Sequence, residues 1–308
     1  MTSPALALDV GGTKVAAALI GPQGRVHRRT ERATPAAVAA DELWAEVAGL
    51  LDEVRSGVGI SGVGVGCGGP MEWPAGVVSP LNIPAWQDFP LRDRLAAAYP
   101  GRPVRVHNDA VCVAVGEHWL GAGRGSSDVL GMVVSTGVGG GLVLGGRVVD
   151  GATGNAGHIG HVVVEPGGPA CACGGRGCLE AVARGPAIAA WAAERGWRGA
   201  DGSARELAAD ARAGDPIARQ AFARAGDALG VAIASAVQLC DVDVVTVGGG
   251  LAQAGPLLFD PLDAAYRRHA GLSFARRARV TLAGLGQDAG LVGAGALVLA
   301  GDRYWSAD

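Results

Sequence analysis

No stretch of this chain reaches the roughly 20 uninterrupted apolar residues that a membrane-spanning helix needs, because Gly, Asp or Arg breaks each run. The opening segment, MTSPALALDVGGTK, lacks the basic cluster and apolar run of an export signal. Neither sign of charge dominates, with 26 Lys and Arg against 29 Asp and Glu and a net charge of −3. These deficits argue against membrane and nucleic-acid partners and make the cytoplasm the expected compartment. Charged residues are only 18% of the 308 and hydrophobic residues are 49%, which argues against disorder and allows one large domain or two ordinary ones.

Two nucleotide-binding signatures are also missing. No G-x-x-x-x-G-K-[ST] loop is present. Gly64, Gly66 and Gly69 fit G-x-G-x-x-G, but Pro70, Trp73, Pro74 and Gly76 follow, where the dinucleotide fold requires a helix. A dehydrogenase is therefore discounted. That segment could instead line a substrate pocket through Gly69 backbone and Trp73 or Trp86, although such tryptophans more often belong to a core.

Glycine is abundant, at 52 residues, and it is clustered. DVGGTK, GVGVGCGGP, STGVGGG and TVGGG each follow a short Val-, Leu- or Ile-rich run, the pattern by which α/β proteins bring backbone close to a ligand. Periodicity predicts strands over 4–10, 15–20, 25–30, 62–66, 104–106, 129–135, 142–144, 147–149, 244–247 and 279–283. Helices are expected over 36–56, 91–98, 110–119, 185–195, 203–213, 216–240, 256–269 and 288–300. Strand, glycine turn and strand thus occur twice, over 5–20 and 129–149. This weak duplication predicts two α/β domains of similar core topology flanking a cleft, with a boundary within 112–128.

Four segments could carry chemistry. Asp9, Gly11, Gly12, Thr13 and Lys14 could form a concave row of amides for phosphate, with Asp9 holding water on Mg²⁺, or could be an ordinary hairpin turn. Thr136, Gly137, Gly139 and Gly140 repeat that device, and Gly249 in VGGG offers a third close backbone approach. In HNDA, Asn108 and Asp109 could cap the following helix, or Asn108 could hold a substrate hydroxyl while Asp109 accepts its proton. Finally, GNAGHIGHVVVEPGGPACACGGRGCLE holds His158, His161, Cys171, Cys173, Cys178 and Glu180. Three thiolates and His161 make a closed tetrahedral Zn²⁺ set, against the plainer alternative of free thiols or a disulfide. In a reducing compartment the disulfide is disfavoured, and Cys67, Cys112 and Cys240 read as core thiols.

Together these motifs, with the closing DAGLVGAGAL, resemble the ROK family of bacterial sugar kinases, repressors and open reading frames; H-x9-C-x-C-G-x-x-G-C-x-E is its most specific signature. The resemblance covers nearly the whole chain. It implies an actin-like, hexokinase-type α/β fold, ATP with Mg²⁺, and transfer to the 6-hydroxyl of a hexose or hexosamine. It also implies that Asp109 is the general base, that Asn108, His161 and Glu180 bind sugar, and that Asp9–Lys14 and Thr136–Gly141 face phosphate. The implied domains are 1–115 with about 288–308, carrying the phosphate loop and catalytic Asp, and 116–287, carrying the zinc loop and nucleotide contacts. A homodimer or homotetramer is the family habit. DNA-binding members carry a helix-turn-helix ahead of the glycine loop, and with Asp9 so near the start of the sequence no such module is expected.

One departure stands out. The family's usual E-x-G-H reads His158-Ile159-Gly160-His161 here. A carboxylate accepts from two hydroxyls, whereas an imidazole can donate. AGHIGH with STGVGGG resembles the N-acetylmannosamine kinases more than the glucokinases, and His158 donating to an N-acetyl carbonyl would explain the exchange. Glucose or another hexose-like polyol is the alternative, and a sugar-binding protein without catalysis a further one.

Overall fold

The computed structural model describes residues 3–35 and 38–306. It divides into two compact units. The first holds residues 1–127, 141–157 and 284–308, and the second holds 128–140 and 158–283.

The first unit begins with a hairpin, β1 (Ala5–Val10) and β2 (Lys14–Ile20), extended by β3 (Val26–Ala33). α1 (Ala40–Arg55) follows; the two residues at the start of the helix expected over 36–56, 36 and 37, lie outside the described residues. Leu43, Val47, Leu50, Leu51 and Val54 form its buried stripe, each burial stabilising by about 1.5–3 kcal/mol. β4 (Val63–Cys67) leads to three two-residue strands, β5 (Met71–Glu72), β6 (Val77–Val78) and β7 (Phe89–Pro90). No helix intervenes after Gly69 until α2 (Leu91–Ala98). β8 (Val104–Asn108) runs directly into α3 (Asp109–Trp119).

The main sheet of this unit has the order β3-β2-β1-β4-β8, antiparallel in its first two pairings and parallel in its last two. Trp86 is fully buried and stacks on Phe89 with ring centroids 4.5 Å apart, so it belongs to the core.

β9 (Val129–Val134), β10 (Val138–Leu144) and β11 (Arg147–Val148) come next. β10 starts four residues before the expected 142–144. Glycine is a poor strand former, so Gly139–Gly141 read as turn. Here they allow close approach: a Cβ on Gly141 would lie 2.6 Å from Val111 Cα. β9 and the first three residues of β10 belong to the second unit, and the rest of β10 with β11 to the first; the second unit goes on with α4 (Leu179–Ala183), α5 (Gly185–Glu194), α6 (Ala204–Ala213) and α7 (Pro216–Cys240). β12 (Val244–Gly248), α8 (Pro256–His269) and β13 (Arg279–Leu282) complete it. α7 and α8 cross closely at Gly226 and Gly230, where a Cβ would fall 2.6 and 2.5 Å from α8 carbonyl oxygens. The second sheet has the order β11-β10-β9-β12-β13, with β12 parallel to both β9 and β13.

α9 (Ala289–Leu299) belongs to the first unit and is buried almost throughout. Gly293 and Gly64 make that possible, since a Cβ would sit 1.7 Å from Cys112 O and 1.8 Å from Ala294 O. Glu117 on α3 is fully buried, yet it accepts three backbone bonds of 2.8 Å, from the amides of Ala122, Gly284 and Leu285. No helix among the described residues is long and apolar enough to cross a membrane.

Candidate active site

In the first unit the register of three parallel strands brings the acidic residues together. Asp9 pairs with Gly66 and Gly66 with His107; one step on, Val10, Cys67 and Asn108 align. The bare Gly66 lets α3 start close to β4: a Cβ there would lie 3.3 Å from both Asp109 Cα and Cys112 Sγ. Asn108 is the N-cap of α3, its Oδ1 accepting from Ala110 N at 3.0 Å, and Asp109 Oδ1 accepts from the same amide at 2.8 Å. Both residues thus cap the helix, and their remaining atoms are open to other work.

Loss of solvation, then the neighbouring Asp109 charge, push Asp9 up to about 7, with Lys14 and Arg29 opposing. Asp109 is also raised, chiefly by burial, against the bond from Ala110. Cys67 and Cys112 are buried beside these carboxylates, and burial followed by the two negative charges pushes both thiols well up. They are core thiols, and they also floor the acidic site. A Cβ on Gly290 would come within 3.0 Å of Asp9 Oδ2, so the first turn of α9 abuts this carboxylate.

The turn between β1 and β2 is tight, with Gly11 N donating to Lys14 O at 3.0 Å and Thr34 Oγ1 donating to Gly11 O at 2.6 Å. Thr13 is exposed at its tip. Lys14, the single lysine of the chain, pairs with Glu31 at 3.2 Å. Arg29 bridges Glu31 at 2.6 Å and Asp288 at 3.3 Å. Asn82 escaped sequence reasoning because no motif marks it. A Cβ on Gly12 would meet its side chain at 2.7 Å and one on Gly68 would meet its Oδ1 at 3.2 Å, so it lies between the two glycine segments. Gly69 O accepts from Leu81 N at 3.2 Å in the same loop pair.

His107 opens the HNDA motif, but the sequence assigns it no role of its own. Its Nδ1 accepts from Asn108 N at 2.8 Å, which leaves the proton on Nε2, 3.0 Å from Asp150 Oδ1. Ser306 donates to the other oxygen of Asp150 at 2.7 Å. Trp73 is half-buried against His107 and Trp305.

In the second unit, β9 ends in a turn closed by Ser135 N donating to Gly137 O at 2.8 Å, with Thr136 at its tip and Gly139 and Gly140 already in β10. Gly249 follows β12 at φ +91°, and a Cβ there would lie 2.4 Å from Val134 O. The two glycine turns therefore meet at the ends of neighbouring parallel strands. Glu180 on α4 joins them: its Oε2 accepts from Val138 N at 2.9 Å.

Gly160 sets the position of the histidines. A Cβ on it would fall 2.0 Å from Val138 O, so only glycine lets the Ile159–His161 turn sit on β10. The His158 and His161 rings lie 6.1 Å apart and 21° from parallel. Ligand atoms of His161, Cys171, Cys173 and Cys178 all lie within 4.8 Å of one another. Cys171 Sγ is 3.7 Å from His161 Nδ1, and the Cys173 and Cys178 sulfurs are 3.7 Å apart. Zinc–sulfur bonds of about 2.3 Å give a tetrahedron with edges of about 3.8 Å, so these donors fit Zn²⁺. His161 Nε2 is then the ring nitrogen left over. Arg224 on α7 reaches Glu165 in this loop at 2.5 Å.

A family model described as the ROK family matches residues 5–301. Over 308 aligned residues the chain is 35% identical to a glucokinase of Thermotoga maritima, covering 95% of this chain and 96% of that protein. It is 38% identical over 285 residues to the N-acetylmannosamine kinase of Escherichia coli, covering 87% and 95%. The crystal structure of a ROK family glucokinase from Streptomyces griseus, in complex with glucose and AMPPNP, superposes with a TM-score of 0.85 at 33% identity, covering 97% of this chain and all of that one. The fold shared with such structures is the actin-like ATPase fold of hexokinase type.

Proposed function

Because this chain belongs to the ROK family, we propose that it is an ATP-dependent sugar kinase, with N-acetylmannosamine as its leading substrate. The observation that carries the reading is the strand register that sets Asp9 and the Asn108–Asp109 pair at one end of one sheet, beside the Gly11–Gly12 turn. One carboxylate serves the metal–nucleotide and the other the accepting hydroxyl.

Asn108 Nδ2 and Asp109 hold the 6-hydroxyl of the sugar. Asp109 takes the hydroxyl proton as the sugar oxygen bonds to the γ-phosphorus and the bond from that phosphorus to the β–γ bridging oxygen breaks, leaving ADP. Burial has already moved Asp109 up from the usual carboxylate range, toward the basicity that this transfer requires. Asp9 would hold the water shell of a Mg²⁺ ion, which would neutralise charge on the phosphates. The amides of Gly11, Gly12 and Thr13, with Lys14, face phosphate, as do Thr136, Gly137, Gly139 and Gly140, while Gly249 approaches the nucleoside. Positioning and charge stabilisation carry the rate in such transfers.

His161, Cys171, Cys173 and Cys178 would hold a structural Zn²⁺, and with Nδ1 on the metal His161 would keep its Nε2 proton to donate to a sugar hydroxyl. Glu180 keeps an oxygen for another hydroxyl, since Val138 N engages only Oε2. Gly69 backbone borders the sugar. His158 donates to the N-acetyl carbonyl, the reason for preferring N-acetylmannosamine. Glucose is the second reading, favoured by the similarity to the glucokinases. An ADP-release assay comparing N-acetylmannosamine, N-acetylglucosamine, glucose, mannose and a cyclitol by kcat/KM decides. No turnover with any of them would leave a sugar-binding protein without catalysis. Metal analysis should find one zinc per chain.

A further inference from the structure

The second unit carries an arginine-rich cavity that the proposed kinase reaction does not use. Residues 264–283 contain five arginines and one histidine and no Asp or Glu, in a chain whose net charge is −3. At the end of α8 this stretch folds back on itself: Tyr266 OH donates to Ala275 O, Ala270 N to Tyr266 O at 2.7 Å, and Arg276 N to Leu272 O at 3.2 Å. Between α8 and β13 lies a cavity of about 420 Å³, lined by Asp263, Tyr266, Arg267, Arg276, Arg279 and Val280 among others. Its lining thus brings together three guanidinium groups and a single carboxylate.

The lining is arranged as well as charged. Arg276 Nε is tied to Ala270 O at 3.1 Å, and its two η nitrogens have no partner among the described residues. Arg267 is held by Asp263 at 2.7 Å, but the pair is exposed, with side-chain accessibilities of 76% and 52%. An exposed pair is worth about 0–1 kcal/mol, so a dianion can outcompete it. Guanidinium forks match phosphate oxygens bidentately, and a cavity of this size holds a phosphate together with an organic group.

We propose that this cavity binds a phosphate monoester. The ligand could be inorganic phosphate itself or a sugar phosphate, and both present the same dianion. The test is calorimetric titration of the whole protein with saturating Mg-ADP, which occupies the nucleotide loops. Inorganic phosphate and a hexose 6-phosphate are titrated separately. Inorganic phosphate should show one saturable site, weakened about tenfold or more in Arg276→Glu, since bonds to charged groups carry this much; hexose 6-phosphate should show the same site besides the product site of the proposed kinase, which Arg276→Glu leaves unchanged. Arg277→Glu reverses an adjacent charge outside the lining and should leave the site within about twofold. Tighter binding of the hexose phosphate identifies the sugar ester as ligand; equal binding identifies the free anion. Absence of saturation up to millimolar concentration, or equal weakening by both substitutions, overturns the proposal. The readout is binding alone, so the same outcomes can be told apart in a chain without kinase turnover.

Discussion

The two five-stranded sheets share one strand plan and carry opposite chemistry. In each, a hairpin with a glycine turn is extended by a third antiparallel strand on one side and by two parallel strands on the other. At the fifth residue of the opening strand the first sheet has Asp9, and the second has Val133. The first sheet's last parallel strand, β8, ends at Asn108 and runs into Asp109, whereas its counterpart β13 ends at Leu282, and β12, the counterpart of β4, ends in Gly248 followed by Gly249. One copy presents carboxylates, and the other presents bare backbone held by Glu180. Duplicated topology therefore fixes where ligands can approach, and the few residues at strand ends decide what meets them.

The sharpest way to break this contrast is to neutralise the acidic copy. Asp109→Asn should lower kcat by about 10²–10⁴ and leave sugar affinity within a few-fold, read by steady-state kinetics beside equilibrium sugar binding. Near-normal turnover would remove Asp109 from the base role.

Asp9 gives the next largest effect, on stability. In the unfolded chain it ionises near 3.8 and in the fold near 7. The fold therefore retains a proton that the unfolded chain releases. The resulting stabilisation is complete below about pH 4 and disappears as pH rises to about 7, by roughly 4 kcal/mol at most. Urea unfolding without nucleotide, at pH 5 and pH 8, should show a smaller pH dependence in Asp9→Asn than in the wild type. Identical dependence in the two proteins would contradict the assignment. The second sheet, with Val133, has no such contribution.

The backbone copy is tested by adding one carbon. Gly249→Ala meets Val134 O and a left-handed φ, and should cost about 1–3 kcal/mol in thermal or urea unfolding. Gly271→Ala, with nothing within 4 Å and no positive φ, should cost nothing measurable. The smallest effect belongs to His158→Glu, which should shift the kcat/KM ratio of glucose to N-acetylmannosamine toward glucose by about tenfold, the worth of one hydrogen bond.

Much of this contrast was legible in the sequence. Pro216 and Pro256 mark helix starts, so α7 and α8 were found to the residue, as was α2 before Pro100. The Cys3His set was equally plain, because ligand spacing in a glycine loop has few other uses. What stayed hidden depends on distant partners. Gly139–Gly141 read as turn from composition, and the use of Gly141, where a Cβ would meet Val111 on α3, shows only in the fold. β5, β6 and β7 are two residues each, too short for any period to show. Asn82 lies beside Gly12 and Gly68 with no motif around it, and His107, although it opens HNDA, gains its role from Asp150, 43 residues along the chain.

Glu117 has a consequence for the long excursion of the chain. Ala122 precedes the first exit into the second unit after Ser127, and Gly284 and Leu285 begin the last return, residues 141–157 having rejoined the first unit in between. A single carboxylate therefore grips both ends of a very long loop. The entropy of closing such a loop grows only with the logarithm of its length, so a few strong bonds at its neck suffice to hold it shut. Glu117 acts as a non-covalent cross-link in an interior where a disulfide is not used.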